Sequence, residues 1–327
     1  MKNLLSLFIL TSTSLLAVDK VLYPNQDFPV EGPWLTGPLL APSSVTVPAG
    51  HWNVEPYVYE IAITGNYDSD WRSIKAPTFW STNVEVPIQV GLCSFLDLQV
   101  TPGFSWNYTQ HKGTWTLSDI PVVLDVQLYN NDFIEGNWMP SIKLVLRELF
   151  PVGKYNQLDP ENLFTDSGGA GSWVTGFGLV FGKLIHFRGP HFLNARFTVQ
   201  YNLPSAVQLR GFNTYGGGIG TRAKYFPSQS IFLDLGLEWT LAQRWALAID
   251  LVATYFTKAH FSGFAGLNTD GTPATLQTVP RIQYSVAPAL EYNWSANWGV
   301  IGGVWMSVAG RNSAQFISGV IAVNYYH

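Results

Sequence analysis

Leu96-Asp97-Leu98-Gln99-Val100-Thr101-Pro102-Gly103-Phe104-Ser105-Trp106-Asn107-Tyr108-Thr109 is the stretch whose pattern decides the fold. Side chains of a strand alternate between its two faces, so Leu96, Leu98, Val100, Pro102, Phe104, Trp106 and Tyr108 fall on one side. Asp97, Gln99, Thr101, Gly103, Ser105, Asn107 and Thr109 fall on the other. The division recurs where Ile231, Leu233, Leu235, Leu237 and Trp239 oppose Asp234, Gly236, Glu238 and Thr240. It recurs again where Ile282, Tyr284, Val286, Pro288, Leu290, Tyr292 and Trp294 oppose Gln283, Ser285, Ala287, Ala289, Glu291 and Asn293. One uniformly apolar face, backed by a face of charged and small residues, is the pattern of a transmembrane barrel strand with lipid outside and a polar lumen inside.

A soluble sandwich also alternates, and the placement of the aromatic residues separates the two. Trp239 and Trp245 bracket the turn at Ala242-Gln243, and Trp294 and Trp298 bracket Ser295-Ala296-Asn297. Phe95 and Trp138 stand at the starts of their strands. Rings at strand ends on the apolar face form a membrane-interface girdle, and a soluble core would scatter them.

Composition agrees. Of 327 residues only 12% are charged, about half of the usual ~25%, while 15% are aromatic. Lys+Arg 18 against Asp+Glu 22 leaves a net charge of −4. These values exclude a coiled coil, a charge-rich disordered chain and a basic nucleic-acid binder. The expected partner is the lipid bilayer of a Gram-negative outer membrane, with no nucleic acid.

Met1-Lys2-Asn3, the apolar run through Leu10 and Leu15-Leu16-Ala17 match a secretory signal over 1–17. No later segment offers ~20 consecutive apolar uncharged residues, so any crossing of the membrane uses strands. Pro24, Pro29, Pro33, Pro38, Pro42 and Pro48 make 18–50 an extended periplasmic leader that either enters the barrel or hangs below it. Residues 51–327 then form the barrel. Its strands are expected near 51–61, 83–92, 95–108, 118–129, 138–150, 172–186, 192–203, 230–241, 244–257, 281–294, 298–309 and 314–327, about twelve in a closed antiparallel sheet. Connections near 62–82, 109–117, 151–171, 204–229 and 258–280 become long outer loops, and those on the periplasmic side are short. Pro56, Pro87, Pro102, Pro121, Pro140 and Pro288 run against this scheme, because each removes a ladder donor and a closed barrel has no free edge to hide it.

Little here points to covalent chemistry. The lone Cys93 excludes an internal disulfide and a multi-cysteine metal site. The histidines, His51, His111, His186, His191, His260 and His327, have no His-x-x-x-His spacing, so no metal is expected. The glycines at 216–218 lack the Lys-Ser/Thr of a phosphate loop, and no cofactor is implied. A rim hydrolase would have to use His260 with Ser262, or Asp68 with Asp70, all explicable as solvated loop residues. The expectation is a protein that is not an enzyme.

The lumen carries the functional expectation. Its inward acids are Glu55, Glu85, Asp97, Asp119, Asp125, Asp234, Glu238, Asp250 and Glu291, outnumbering Lys143, Arg147, Arg196, Arg244 and Arg281. A cation facing lipid at midplane would cost ~2–4 kcal/mol, and an acid somewhat less, which assigns this set to the interior. The charges either tune solute selectivity or pair with one another as a structural network. A barrel of this size lies between filled small barrels and open porins. The leading function is a passive, porin-like channel for small solutes. A second is a non-conducting barrel whose outer loops, with Trp71, Trp80, Trp115, Phe212 and Tyr215, bind a partner or host surface.

Several stretches carry a family likeness: Gly50-His51-Trp52-Asn53-Val54-Glu55, Leu149-Phe150-Pro151-Val152-Gly153-Lys154, Gly169-Ala170-Gly171-Ser172-Trp173, and the hairpin from Leu233-Asp234-Leu235-Gly236-Leu237-Glu238-Trp239 through Arg244-Trp245-Ala246-Leu247. Over most of 50–327 the chain resembles the outer-membrane family encoded alongside phenol meta-cleavage degradation pathways. That resemblance implies an outer-membrane barrel passing small hydrophobic or aromatic compounds.

Overall fold

The computed structural model describes residues 16–17, 32–131, 138–187 and 189–327. The expected signal at 1–17 lies outside them, apart from a two-residue strand at Leu16–Ala17. A closed antiparallel barrel of 12 strands fills most of the described chain. β1 comprises Trp52–Val54 and Tyr57–Tyr67, β2 Ser73–Glu85 and Ile88–Cys93, β3 Leu96–Val100 and Gly103–Thr109, and β4 Lys112–Leu117 and Ile120–Tyr129. The remainder are β5 Ser141–Phe150, β6 Val174–His186, β7 Phe192–Pro204, β8 Ser230–Ala242, β9 Trp245–Phe256, β10 Arg281–Asn293, β11 Trp298–Arg311 and β12 Ala314–Tyr326. Each strand pairs with its sequence neighbour, and β12 closes on β1 through pairs such as Val320 with Tyr59. In hydrocarbon no water can serve an unpaired N–H or C=O, so closure satisfies every wall strand on both sides.

The lipid face follows the dyad: Phe197, Leu233, Leu235, Leu247, Leu251 and Leu290 are exposed, while Arg196, Asp234, Asp250 and Glu291 between them are buried. At the periplasmic end Trp245, Trp294 and Trp298 are exposed and form a contiguous ring row with Tyr292 and Tyr325, including Trp294 stacked on Trp298 at 6.1 Å. Phe95 is exposed in the β2–β3 turn, and Trp138 is exposed just before β5 rather than within it. Trp239 is half-buried beneath His191, whose ring stacks on it at 5.8 Å.

The expected outer loops need two corrections. Residues 62–82 and 109–117 are mostly strand, and only 68–72 and Gln110-His111 turn. Gln110 and His111 both have positive φ, 45° and 65°, as in a tight two-residue hairpin. Lys112–Leu117 is exposed or half-exposed on both faces, so this part of the wall lacks the one-sided burial that makes a strand legible in sequence. The genuine long outer connections are 151–173, 205–229 and 257–280. The last two contribute a small sheet of Val207–Arg210, Arg222–Phe226 and His260–Phe264.

The prolines sit where no donor is missed. Pro56, Pro87 and Pro102 lie at the interruptions of β1, β2 and β3, and Pro121 lies just inside the second part of β4. Their carbonyls still accept: Pro56 from Val323 N at 3.2 Å, Pro87 from Glu55 N at 3.1 Å, Pro102 from Val86 N and Pro121 from Thr101 N, both at 3.0 Å. Pro140 immediately precedes β5. Pro288 coincides with a gap in the β10–β11 ladder, between the pairs Val286 with Met306 and Ala289 with Gly303.

Because closure places an apolar band outside and leaves no edge, the outer-membrane fraction is expected to hold a species that runs faster on a gel unboiled than boiled. A mature chain that stays monomeric in buffer without detergent would contradict this fold.

Candidate functional site

The described part of the proline-rich leader, 32–50, runs through the lumen. From Pro33 to Val47 nearly every residue is buried. Its contacts reach the inner face of wall strands around the barrel, and the wall is shaped to receive it. A β-carbon at Gly236 of β8 would lie 2.5 Å from the Ala41 Cβ and 2.9 Å from the Pro38 Cγ. One at Gly182 of β6 would lie 2.1 Å from Ser44 Oγ, and one at Gly303 of β11 2.7 Å from Leu39 Cδ1. At these inward positions side chains of the segment occupy the space that a wall side chain would take.

Beyond the short antiparallel pairing of Trp34–Leu35 with Leu16–Ala17, the described segment forms no ladder, so its N–H groups need other acceptors. The lumen acids supply them. Glu291 Oε2 accepts from Thr36 N at 2.8 Å, Glu238 Oε1 from Gly37 N at 2.9 Å, and the Asp250 carboxylate from Leu40 N at 3.3 Å and Ala41 N at 3.0 Å. Further along, Gln127 Oε1 accepts from Thr46 N at 2.8 Å and Asp97 Oδ2 from Val47 N at 2.7 Å. Arg196 donates to the Ala41 carbonyl and lies 3.4 Å from Glu238 Oε2. The acids thus hold a peptide as well as bases.

The other residues expected to line the pore divide by height and role. Lys143 pairs with Asp125 at 2.6 Å, both buried. Glu55 accepts from Tyr57 and Asn324. Asp234 is fully buried, and neither carboxylate oxygen has a hydrogen-bond partner among the described residues. Glu85 is half-buried and Arg147 is buried on the outer half of the wall. Arg281 is buried at the start of β10 with its guanidinium 4.2 Å from the Phe256 ring. Arg244 lies not on the inner wall but in the exposed Gln243-Arg244 turn between β8 and β9, over the Trp34 ring at 5.6 Å, because a register shift between Thr240 and Ala242 moves the turn by one residue.

Asp119 faces inward but serves the outer rim, accepting from Gly153 N and Ala170 N at 2.8 Å each and so pinning both ends of the 151–173 loop. Asn107 donates to the Thr165 and Ser167 carbonyls of the same loop. Tyr215 donates to the Ala170 carbonyl at 2.8 Å, and Tyr225 donates to the Gln277 carbonyl. Burial raises both phenols, Tyr225 to about 12, so each remains a protonated donor at any physiological pH. The three long loops are thereby tied into one cap.

Alternation alone did not separate the two sides of the lumen. Tyr57, Tyr59, Ile61, Ile63, Phe79, Phe232, Val252, Trp305 and Phe316 are buried in one cluster with Leu39 and Leu40 of the inner segment. That cluster comes from β1, β2 and β8–β12 and not from β3–β7, and β8–β10 also carry the buried Asp234, Glu238, Asp250 and Glu291. The signal was the inward phase of Tyr57-Val58-Tyr59-Glu60-Ile61, in which the large rings and not the acid occupy the inner face. Glu60 points outward instead and accepts from Thr82 Oγ1 at 2.5 Å, which shields an acid that would otherwise face lipid unpaired.

Among solved structures, the chain is similar to the COG4313 outer membrane channel from Pseudomonas putida F1, with 13% identity and a TM-score of 0.66 over 87% of this chain and 98% of that chain. Two others superpose more loosely. The CymD monoaromatic hydrocarbon channel has 11% identity and a TM-score of 0.37 over 86% of this chain and 88% of that chain. The translocator domain of autotransporter NalP from Neisseria meningitidis has 11% identity and a TM-score of 0.43 over 84% and 87%. No protein-family model matches the chain, and no curated protein sequence does. The protein is an outer-membrane β-barrel embedded in the bilayer by its strands. The likeness to the Pseudomonas channel is one of fold.

Asp250 holds two backbone donors of the inner segment, and a hydrogen bond to a charged group contributes ~1.5–3 kcal/mol. Asp250→Ala is therefore expected to speed amide hydrogen exchange at Leu40 and Ala41 about tenfold or more, while Asp70→Ala in the exposed β1–β2 turn leaves it unchanged. Gly236→Val, by filling the space of Pro38 and Ala41, is expected to speed the same exchange without loss of the heat-modifiable band.

Proposed function

We propose that this protein is a passive outer-membrane channel for small, weakly polar solutes, of the hydrophobic or aromatic kind implied by its resemblance to the family encoded with phenol meta-cleavage pathways, and that residues 33–47 regulate passage. The observation that carries this reading is what fills the lumen. A small barrel closes its interior with wall side chains. Here the wall withdraws to glycine at Gly182, Gly236 and Gly303, and the space is occupied by a segment held by hydrogen bonds and apolar contact. The apolar strip through Tyr59, Phe79, Phe232, Trp305 and Phe316 gives a solute with an aromatic or aliphatic body a surface that an ordinary hydrophilic pore lacks.

A non-enzymatic role goes with it. His260 and Ser262 share a face of an outer strand, but the His260 ring is stacked on Phe226 at 4.4 Å and the three outer strands carry no acid to orient it. A loop-binding role draws less support: Tyr215 is buried, and Trp80 and Trp115 stand on wall strands.

The test is flux into liposomes holding the full chain or a form lacking 33–47. Deletion is expected to admit sugars as well as a neutral monoaromatic compound, whereas the full chain passes the aromatic compound and retards the sugar. A folded barrel that passes neither, with or without the segment, refutes the channel.

A further inference from the structure

The outer strands Val207–Arg210, Arg222–Phe226 and His260–Phe264 continue β7, β8 and β9 beyond the barrel, in the same lateral order. Val207, Leu209, Ala223 and Tyr225 face inward and pack with Tyr215, Ala259 and Leu276 of the cap. The opposite face is a continuation of the lipid-exposed wall. It carries Arg210, Arg222 and Lys224, all exposed, and no acid occurs in the three strands. Arg210 is directly opposite Arg222, an arrangement in which like charges repel. No salt bridge among the described residues engages either arginine or Lys224. Lys224 lies over the Phe226 ring at 5.2 Å, and in a chain whose charge is −4 this concentration of exposed cations on one small sheet suits an external anion.

The height of these cations identifies it. Below them the wall presents a paired exposed row of Tyr201, Ile231 and Tyr255, the outer interfacial band over these strands. Between row and cations lie exposed Lys258 and the stacked rings of Phe226 and His260. Groups just above an aromatic band face lipid headgroups, and long basic side chains bend toward them. Arginine favours phosphate because its planar fork binds two oxygens at once. We propose that this face binds the phosphate groups of the anionic glycolipid of the outer leaflet, with Arg210 and Arg222 sharing one phosphate and Lys224 supporting it.

The test uses the full chain in neutral detergent, titrated with purified lipid A and with its dephosphorylated form. Arg210→Gln, Arg222→Gln and Lys224→Gln together are expected to weaken lipid A binding about a hundredfold, roughly fivefold per cation. The heat-modifiable band should persist, since none of the three is buried. Lys75→Gln with Lys112→Gln, cations on other strands, should leave binding unchanged. Equal affinity for dephosphorylated lipid A, displacement by millimolar inorganic phosphate alone, or equal loss in the Lys75/Lys112 variant would each overturn the proposal.

Discussion

Hydrocarbon offers no partner to a peptide N–H, and that constraint organises the whole molecule. It requires the wall to close, which β12 does on β1. It restricts proline to places where the ladder is already interrupted, which explains why four of the prolines cluster at the breaks of β1 to β4 while their carbonyls go on accepting. The same demand extends inside. A peptide segment drawn into a narrow lumen cannot rely on bulk water, and the acids on the inner wall answer its donors one by one.

The lumen acids therefore have a different meaning from the one net charge suggests. A ring of carboxylates in a pore is ordinarily read as a cation filter. Here Glu238, Asp250, Glu291 and Asp97 spend hydrogen-bonding capacity on Thr36, Gly37, Leu40, Ala41 and Val47. Wall glycines give room to the segment's Pro38, Leu39, Ala41 and Ser44 side chains, and the apolar strip takes Leu39 and Leu40. Carboxylates and apolar side chains of the same inner surface thus hold the peptide that occupies the lumen.

The outer end repeats this economy. Asp119, inward on the wall, anchors a loop, and the loops in turn bury Tyr215 and Tyr225. Their packing turns one face of the outer sheet inward and leaves Arg210, Arg222 and Lys224 facing the membrane side.

Alternation in 96–109, 231–240 and 282–294 was enough to reveal the strands, the lipid face and the inward phase of nearly every charged residue, because a one-residue slip would put charges in lipid. The signal failed at 73–78 and 112–117, where neither face of the wall is buried and no dyad is enforced, and at Arg244, where a register shift just before the turn changes the phase. The identity of what the acids bind lay beyond any local pattern. Thr36 and Glu291 are far apart in sequence, as are Ala41 and Asp250, and only closure of the barrel brings an extended, proline-punctuated segment within hydrogen-bond reach of them. Periodicity is a property of each strand; the occupied lumen is a property of twelve strands meeting around a common axis.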